Sequence, residues 1–579
     1  MLSGRNRSTC YGPPVRISGP EPALEPDLTI RALASGLAVG ALLCIANLYM
    51  GLKTGFWDGG QITASVLALA LTSGKLTRLE NNVAQTAASA VGGIPAAAGL
   101  LGAIPALQLL GVPVPGWGIA LWGLALGLIG VLIALALRRR LLEEEDLPFP
   151  TGVATAEVIE VLHSGGAEGR GRARALLTGG LGAAVIAWFR GGKPALIPET
   201  LAVPGRVAGV PFDLLGIGLS TSPLLWGVGV VVGPRIALGL LTGSLLGWVV
   251  LGPWLVRGPL HFAPDRGAIA SWLSWPATAL MVGAALVSLI RQAGMVSGAW
   301  RDLRSVVSDR SRAGIQALVL VAGAVVGTVA VGKAVFDLRP AYTVLALLLS
   351  VLGASICARS AGLTDFSPLG TVGQVTQAVY GTLAPGQPAV NIAAGSVVAG
   401  AATQTSMLLW SLKVGRLLRA PLRGQVAAAV TGCVVGALVC MPAYALLLRA
   451  YGLTSTDLPM PTALQWKVMG EVVAQGFAAL PAGALRAVIA AAAVGIVLGV
   501  AEETSARRFV PPAVAVGIGA LVPFDYSLTI ASGAAVVAVG GRFWPRLRSP
   551  AGGVAAAGMI AGDSLVGVAV ALLRSFGVL

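Results

Sequence analysis

Apolar runs separated by short polar connections recur along the whole chain, and most are close to the length of about 20 residues that a helix needs to cross a bilayer. In the first half they lie near residues 30–52, 59–73, 83–111, 116–137, 174–189, 214–232, 235–256 and 268–290. In the second half they lie near 314–336, 340–358, 388–412, 424–449, 484–501, 511–540 and 551–576. Shorter and more polar helical pieces are predicted near 150–163, 368–383 and 462–479. The pattern predicts an all-α polytopic membrane protein with about 14 to 17 membrane segments.

The composition supports this fold class, because 55% of the 579 residues are hydrophobic and 11% are charged, whereas soluble domains average about 25% charged residues. The formal net charge is +15, but the basic residues fall mostly in short connections, as the positive-inside rule requires of cytoplasmic loops. They therefore indicate cytoplasmic connections at 138–140 and 291–312 rather than a nucleic-acid partner. The five cysteines are scattered and form neither a disulfide framework nor a metal-binding spacing.

Self-comparison reveals matches that occur in the same order in two parts of the chain. LPFPT at 147–151 recurs as LPMPT at 458–462, a shift of 311. GLKTGF at 51–56 resembles GLTDF at 362–366, and NVA at 82–84 resembles NIA at 391–393. SPLLWGVGVVVGPR at 222–235 resembles PPAVAVGIGALVPF at 511–524 in its proline and glycine positions. A nearly constant shift predicts an internal duplication, as many transporters have.

These boundaries divide the chain into four parts. Residues 1–28 form a polar, proline-rich tail without the apolar core of a signal peptide, so the first run is expected to stay in the protein as a transmembrane helix. A first transmembrane half is expected at 29–300, a basic connecting loop at 301–314 and a second half at 315–579. Whether the halves are parallel or inverted depends on whether 151–163 spans the membrane or is re-entrant, and the pattern leaves both arrangements open.

No enzymatic constellation is present in the sequence. It has neither a GxxxxGK[ST] phosphate-binding loop nor an HExxH pair. The two histidines, His163 and His261, are far apart in the chain, so a zinc or catalytic-histidine site would be hard to build. We therefore expect no cofactor, no bound metal and no enzyme activity. Without a nucleotide site, a transporter of this kind would be a secondary one that an ion gradient drives.

The chemistry is expected instead in polar residues that interrupt the apolar runs, because such side chains are costly in a bilayer unless they line a cavity or a protein interior. Lys53 either reaches the interface or meets a substrate carboxylate, and Asp365 either lines the path or caps a helix. Amide side chains at helical spacing suit peptide groups, although they also join transmembrane helices. The candidate substrate-binding residues are Asn47, Lys53, Glu80, Asn81, Asn82, Gln85, Asp365, Gln374, Gln377 and Gln404.

Two acids in TGVATAEVIEVLH are the candidates for proton coupling. Glu157 and Glu160 are three residues apart, so they share one face of a helix. Carboxyl groups in a low-dielectric site have raised pKa values and can carry protons. The alternative is an ordinary helix end at the membrane surface, where acids cost little.

Taken together, several of these segments resemble the signatures of the oligopeptide transporter (OPT) family over roughly residues 28–576. They are NLYMGLKTG, LENNVAQTAASA, LPFPTGVATAEVI, SPLLWGVGVVVG, GLTDFSPLGTVGQ, LPMPT and GMIAGDSLVGV. The bacterial branch is the most similar, and GLTDFSPLGTVGQ resembles the yellow stripe-like metal-chelate branch. The resemblance implies about 16 membrane helices, an ancestral duplication, and proton-coupled import of small peptides or metal chelates.

The chain departs from the family pattern at two points. TQTSMLLWSLKVG keeps Gln404 and Lys413 but has Ser406 or its neighbours where the family has an acidic residue, and GMIAGDSLVG has Asp563 where a glutamate is more usual.

The resemblance implies a multi-pass protein of the bacterial cytoplasmic (inner) membrane whose partners are lipid, protons and a small peptide. The alternatives are an importer of siderophore-like or nicotianamine-like metal chelates, a passive channel, and an integral-membrane enzyme. The oligomeric state, monomer or homodimer, is left open.

Overall fold

A computed structural model of the chain describes residues 27–57, 59–163, 167–258, 264–308, 312–364, 367–476, 481, 483–502, 504, 506, 509–543, 550–575 and 578. These residues are mainly helical, as the sequence predicts. The short helices predicted near 150–163, 368–383 and 462–479 are confirmed as α6, α13 and α16, whose bounds follow.

The first seven helices are α1 (Ile30–Thr54), α2 (Gln61–Leu71), α3 (Arg78–Ala97), α4 (Ala103–Leu109), α5 (Gly116–Arg138), α6 (Pro150–His163) and α7 (Ala167–Gly191). A π-helical turn, Arg139–Glu144, continues α5. The loop after α7 contains the short strands β1 (Thr200–Ala202), β2 (Arg206–Val207), β3 (Val210–Pro211) and β4 (Gly218–Ser220). They form two antiparallel pairs, β1 with β4 and β2 with β3.

The chain then continues through α8 (Pro223–Ser244), a π-helical segment Leu245–Leu251, α9 (Gly252–Arg257), α10 (Arg266–Ser308) and α11 (Arg312–Phe336). The next helices are α12 (Pro340–Thr364), α13 (Leu369–Leu383), α14 (Pro388–Leu418), α15 (Leu422–Tyr451), α16 (Pro461–Gln475) and α17 (Ala484–Glu502). The last are α18 (Ala513–Leu521), α19 (Phe524–Ala535) with the π-helical continuation Val536–Gly540, α20 (Gly541–Phe543) and α21 (Pro550–Ser575).

Within the described residues, nine helical segments are long and apolar enough to cross a membrane. They are Ile30–Thr54, Gly116–Glu144, Pro223–Arg257, Pro340–Gly362, Pro388–Leu418, Leu422–Tyr451, Ala484–Glu502, Phe524–Phe543 and Gly552–Val570. Pro388–Leu418 is 94% buried over its most apolar window, so α14 lies in the interior of the bundle rather than against lipid. Such a set of spans is that of a polytopic membrane protein.

Three predicted elements differ from the observed ones. The run at 83–111 forms two helices, α3 and α4, because the backbone turns between them at Gly99, whose φ is +76°. The run at 511–540 is likewise divided into α18 and α19 by Pro523, which has no N–H to continue a helix. Residues 301–308 of the predicted basic loop continue α10 as a helix, since RDLRSVVS contains no proline or glycine to end it. Residues 309–311 lie outside the described residues.

The direction of the central helices follows from their contacts. Helices α3 and α14 run antiparallel, because Gln85 contacts Ser411, Ala90 contacts Gln404, and the carbonyl of Ala97 lies against Gly400. A Cβ atom at Gly400 would lie 2.2 Å from the Ala97 carbonyl oxygen, so only glycine lets the two backbones approach this closely.

Helices α1 and α3 run parallel, because Gly36 packs on Ala84 and Asn47 on Gly92. The carboxyl end of α1 therefore lies where α3 ends and α14 begins.

Candidate functional site

The predicted amide residues of the first half are buried where α3 meets α14. The Nε2 atom of Gln85 donates to Asn82 Oδ1 at 3.1 Å and to Thr86 Oγ1 at 3.0 Å. Asn81 is fully buried, and neither of its amide atoms has a hydrogen-bond partner among the described residues. The structure thus buries Asn81, Asn82 and Gln85 on α3, and Gln85 contacts Ser411 of α14. Asn81 and the Nδ2 atom of Asn82 have hydrogen-bonding groups without a partner among the described residues.

Gln404 of α14 faces Ala90 and Gly93 of α3, further along the same interface. Its Nε2 atom donates to the Ala90 carbonyl oxygen at 3.2 Å and approaches Cys433 Sγ at 3.3 Å, while its Oε1 atom has no partner among the described residues. A narrow crevice, too small to hold a water molecule in this conformation, lies between the two helices here. It is lined by Thr86, Ala90, Gln404, Met407, Leu408, Ser411 and Ala429.

The other predicted polar residues lie in helix contacts at different places. Gln374 and Gln377 are buried on α13, and both amide atoms of Gln377 lack partners among the described residues. Asn47 donates from Nδ2 to the Gly92 carbonyl oxygen at 2.9 Å and so joins α1 to α3. Asp365 lies outside the described residues.

Glu80 occupies the amino terminus of α3 and forms a capping box with Thr77, since each side chain accepts from the other's backbone N–H. Its carboxylate also accepts from Thr29 Oγ1 at 2.6 Å and from Arg31 at 2.9 Å. These contacts join the starts of α1 and α3 and use both carboxylate oxygens. These hydrogen bonds are those of a helix cap.

Glu157 and Glu160 do share one helix, α6, but in different surroundings. Glu157 is exposed, and Glu160 forms an ion pair with Arg78 of α3 at 3.0 Å, with both side chains about one-third exposed. Their role in coupling stays a prediction.

A different group of charges surrounds a cavity at the carboxyl end of α1, which we call the charged cavity. In this conformation its volume is about 20 Å³, room for roughly one water molecule, and it is lined by Tyr49, Lys53, Ala187, Arg190, Gly191, Glu199, Tyr451, Asp457, Gly567 and Val570. Of the sequence-predicted site residues, only Lys53 lies in this lining.

Lys53 is a buried cation, 7% exposed, in the last turn of α1. Its Nζ atom lies 5.6 Å from the centre of the Tyr49 ring and 5.3 Å from that of Tyr526. Rings at this distance attract a cation through their quadrupole. Among the described residues, no carboxylate lies within ion-pair distance of Lys53. Within the part of the chain that the structure describes, the ammonium group is therefore held at the cavity without a paired anion.

The second cation of the cavity, Arg190 of α7, is in contrast fully paired. Its guanidinium group donates to both oxygens of Asp563 on α21, at 2.7 and 3.3 Å. Asp563 is completely buried and also accepts from Ser222 Oγ at 2.6 Å and from the Leu224 N–H at the start of α8 at 2.8 Å. This bidentate pair joins α7, α8 and α21 behind the cavity.

Two acids complete the lining of the cavity. Glu199, just before β1, is exposed at its mouth, and Asp457 is half-buried in the loop before α16. The two carboxyl groups lie within reach of a side-chain hydrogen bond. Desolvation, followed by the charge of Asp457, raises the pKa of Glu199, although Lys53 and Arg190 act in the opposite direction.

The loop that carries Asp457 is fixed by the end of α1. Helix α1 ends at Gly55, whose φ is +77°, and the Met460 N–H donates to the Leu52 carbonyl oxygen at 2.9 Å. A corresponding contact joins the other LPxPT segment to α12, because the Phe149 N–H donates to the Gly362 carbonyl oxygen at 2.8 Å. Each of the two repeated segments therefore packs on the GL segment from the other part of the chain.

The other end of the bundle, the arginine-rich end, is defined by Arg138–Arg140 after α5 and by Arg416 at the end of α14. Glu145 accepts from Arg140 at 2.9 Å and also from Arg359 of α12. Asp146 pairs with Lys413 at 3.0 Å and with Arg416 at 3.1 Å. Glu145 and Asp146 thus join the connection between α5 and α6 to helices α12 and α14.

Sequence reasoning missed Arg190, Glu199, Asp457 and Asp563 as site residues. Asp457 carried a signal, since an aspartate precedes both LPxPT segments, at 146 and 457. Asp563 stood in a recognised motif. Arg190 and Glu199 carried no local signal, because the groups that they face come from distant parts of the chain.

Comparison with known proteins gives the class of protein. The family model "OPT oligopeptide transporter protein" matches residues 27–574. The chain is 25% identical to a Haemophilus influenzae protein named "Putative oligopeptide transporter", over 91% of this chain and 92% of that protein. It is 24% identical to a Saccharomyces cerevisiae protein of the same description, over 86% of this chain and 89% of the relative. The chain is 21% identical to a metal-nicotianamine transporter of Arabidopsis thaliana, over 94% of this chain and 93% of that relative.

The chain belongs to the OPT oligopeptide transporter family, because the family model covers nearly its whole length. The resemblance found in the sequence motifs is confirmed. The protein is an integral, multi-pass membrane protein of a transporter family, which agrees with the prediction of a transporter rather than an enzyme.

Proposed function

We propose that the protein is a proton-coupled secondary carrier that moves small oligopeptides across the bacterial cytoplasmic membrane. The observation that carries this proposal is Lys53, a buried ammonium group at a cavity inside a membrane protein, with no paired carboxylate among the described residues. A buried charge is costly unless it is paired, so the site is suited to an anion that arrives with the cargo. A peptide supplies one in its carboxylate.

The charged cavity also suits the other end of a peptide. Glu199 and Asp457 line it together with Lys53, and carboxylates accept hydrogen bonds from an ammonium group. A zwitterionic cargo would bring one group of each sign to a cavity that offers both. This match supports peptides over neutral solutes such as sugars.

The amide-rich interface between α3 and α14 would form part of the path. Asn81, Gln377 and Gln404 keep buried amide atoms without partners among the described residues, and such atoms are costly unless a partner reaches them. Peptide groups offer both donors and acceptors. With Lys53, Glu80, Asn82 and Gln85 in the first half, and Asp365 and Gln374 in the second, these residues remain the proposed lining.

An inverted duplication would give the two states that alternating access needs. Reciprocal contacts support it: Met460 binds the end of α1, and Phe149 binds the end of α12. Helices α3 and α14, which carry the matching NVA and NIA segments, run antiparallel. Two halves at 29–300 and 315–579, with about 16 spans in total, are consistent with these contacts.

The orientation of the protein follows from the positive-inside rule. The arginine-rich end carries Arg138–Arg140, Arg416 and Arg419, so it would face the cytoplasm. The charged cavity lies at the carboxyl end of α1, which begins beside α3 at the opposite end. It would therefore face the outside, where an importer takes up its cargo.

The second candidate function is import of a metal chelate. It is favoured by the relatives named metal-nicotianamine transporters, which match over most of their length. In that case the metal would arrive inside a carboxylate-bearing chelator, and Lys53 would meet the carboxylates of the chelator.

Uptake into proteoliposomes under an inward proton gradient tests the proposal. Labelled tri- to pentapeptides are offered free, with an amidated carboxyl end, or with an acetylated amino end, and ferric chelates are offered separately. We expect free peptides to accumulate, a protonophore to abolish accumulation, and amidation to weaken it most. Accumulation of chelates alone would replace the peptide proposal by the second candidate, and accumulation of neither would overturn both.

A further inference from the structure

The two acids at the mouth of the charged cavity differ from the other acids described in the site. Asp563 and Glu80 have carboxylate oxygens bonded to arginine, hydroxyl or backbone donors. Glu199 and Asp457 instead line the charged cavity together, and the charge that acts most strongly on Glu199 is that of Asp457. Two carboxyl groups in this arrangement are most stable when they share one proton.

We infer that Glu199 and Asp457 hold the coupling proton between them and that this proton controls whether Lys53 is free to bind the carboxylate of the cargo. The parts of this inference that concern proton coupling and cargo rest on the proposed function. The carboxyl pair itself stands on the geometry of the cavity.

The charges around the pair favour one bound proton. Besides Glu199 and Asp457, the charged groups at the cavity are Lys53 from α1, Arg190 from α7 and Asp563 from α21. These three acids and two bases leave a net charge of −1 when all are ionised, and the buried Asp525 adds a further negative charge, so one bound proton reduces an excess of negative charge. The other titratable groups that face it are Tyr49, Tyr451 and Tyr526, with Asp525, which accepts from Thr200 Oγ1 at 3.0 Å.

The raised pKa of Glu199 acts in the same direction as this charge balance. Desolvation and then the neighbouring Asp457 raise it, so the carboxyl keeps its proton at a higher pH than an ordinary glutamate, whose pKa is about 4.3. Because Glu199 is exposed at the mouth, it exchanges protons with the aqueous side on which the cavity opens.

Proton binding and cargo binding then support each other. When both acids are ionised, their two negative charges stabilise the Lys53 ammonium and repel an incoming carboxylate. When one proton is bound, a single negative charge remains for the ammonium group of a peptide, and Lys53 is left for its carboxylate. The proton and the cargo therefore occupy the cavity together, as cotransport in one direction requires.

The transport test compares Glu199→Gln and Asp457→Asn with wild type and with Asp337→Asn, which neutralises an exposed acid outside the cavity. We expect both cavity variants to lose accumulation driven by a pH gradient, so that the internal cargo concentration falls to the external one. They should keep exchange of labelled for unlabelled cargo, which needs no net proton movement. Glu199→Asp should restore accumulation with a shifted pH profile. Asp337→Asn is expected to accumulate cargo as wild type does.

Infrared difference spectroscopy of the purified protein between about pH 5 and about pH 8 needs no cargo. Wild type should show the C=O band of a protonated carboxylic acid that disappears at the higher pH, and Glu199→Gln and Asp457→Asn should each remove or shift it. An unchanged band together with unchanged accumulation in both variants would overturn the inference. A band that depends on both residues, in a protein that transports neither peptides nor chelates, would keep the carboxyl pair and reject the proposed function.

Discussion

The two DLPxPT segments, 146–151 and 457–462, have similar backbone conformations, but the charged groups around their aspartates differ. The third position of each LPxPT has a left-handed conformation, with φ of +43° at Phe149 and +50° at Met460. Each of these residues donates its N–H to a GL segment. In both segments the following proline opens a helix, α6 or α16, as suits proline at a first helical position.

The aspartates that precede these motifs face opposite environments. Asp146 lies between Lys413 and Arg416; burial acts to raise its pKa, but the two cations outweigh it and lower the pKa. Asp457 faces the carboxyl of Glu199 in the charged cavity. The repeated sequence therefore determines the backbone, whereas the surrounding helices determine what the acid does. Ion pairs join the helices at the arginine-rich end, whereas the opposite end holds the charged cavity.

The largest effect is expected from removing the ion pair behind the cavity. In Asp563→Asn, the buried Arg190 would lose its carboxylate, and breaking a buried pair costs about 3–5 kcal/mol. Thermal unfolding in detergent should show a clearly lower melting temperature. Asp337→Asn, which removes the exposed partner of Lys333, is the matched control and should melt like wild type. A wild-type melting temperature for Asp563→Asn would show that the pair does not hold the cavity end together.

The next largest effect is expected from removing the charge of Lys53 at the charged cavity. Lys53→Met keeps an unbranched side chain beside Tyr49 and Tyr526 but removes the charge. A hydrogen bond to a charged group contributes about 1.5–3 kcal/mol, so we expect KM for free peptides to rise by about 10- to 100-fold. Peptides with an amidated carboxyl end should lose little. Equal losses for both peptides would place the cargo carboxylate elsewhere. Lys333→Met serves as the control.

Asp146→Asn and Asp457→Asn compare the two motifs directly. Without the Asp146 charge, the buried Lys413 loses its carboxylate partner, which should weaken closure of the arginine-rich end by about 1–3 kcal/mol. Hydrogen–deuterium exchange of residues 143–149 should become faster. Asp457→Asn should leave exchange there unchanged and alter the pH dependence of transport instead. The same exchange pattern in both variants would mean that the two ends do not differ as described.

The smallest effect is expected from pH alone. The pKa of Glu145 is lowered by Arg359 and then by Arg140, against the effect of burial, and that of Asp146 is also lowered. A carboxyl with a lowered pKa stabilises the fold above its ordinary pKa of about 4, and this contribution is lost as the pH falls through the lowered value.

Glu199 has a raised pKa and therefore takes up its proton at a higher pH. Acidification should alter the cavity end first and the arginine-rich end only at lower pH. Hydrogen–deuterium exchange, corrected for the intrinsic pH dependence of the exchange rate, measures both ends. If exchange changed at both ends at the same pH, the result would contradict the account.

Local patterns in the sequence predicted helices α6, α13 and α16, the paired LPxPT segments and a role for Lys53 near a cavity. They could not predict the pair between Arg190 and Asp563, because 373 residues separate its members. Glu80 shows the opposite case. The capping box formed by Thr77 and Glu80 was visible in the sequence, but the apolar surroundings favoured a cavity role. Glu157 and Glu160 were chosen for their helical spacing, which says nothing about Arg78 or about solvent.

The most direct test of the account is a simultaneous record of peptide and proton entry into proteoliposomes that contain a pH-sensitive dye. Addition of a free tripeptide should acidify the lumen as the labelled peptide enters, and the C-terminal amide of the same peptide should do neither at the same concentration. Entry of both peptides at equal rates without acidification would contradict the claim that the charged cavity binds the carboxylate of the cargo together with a proton.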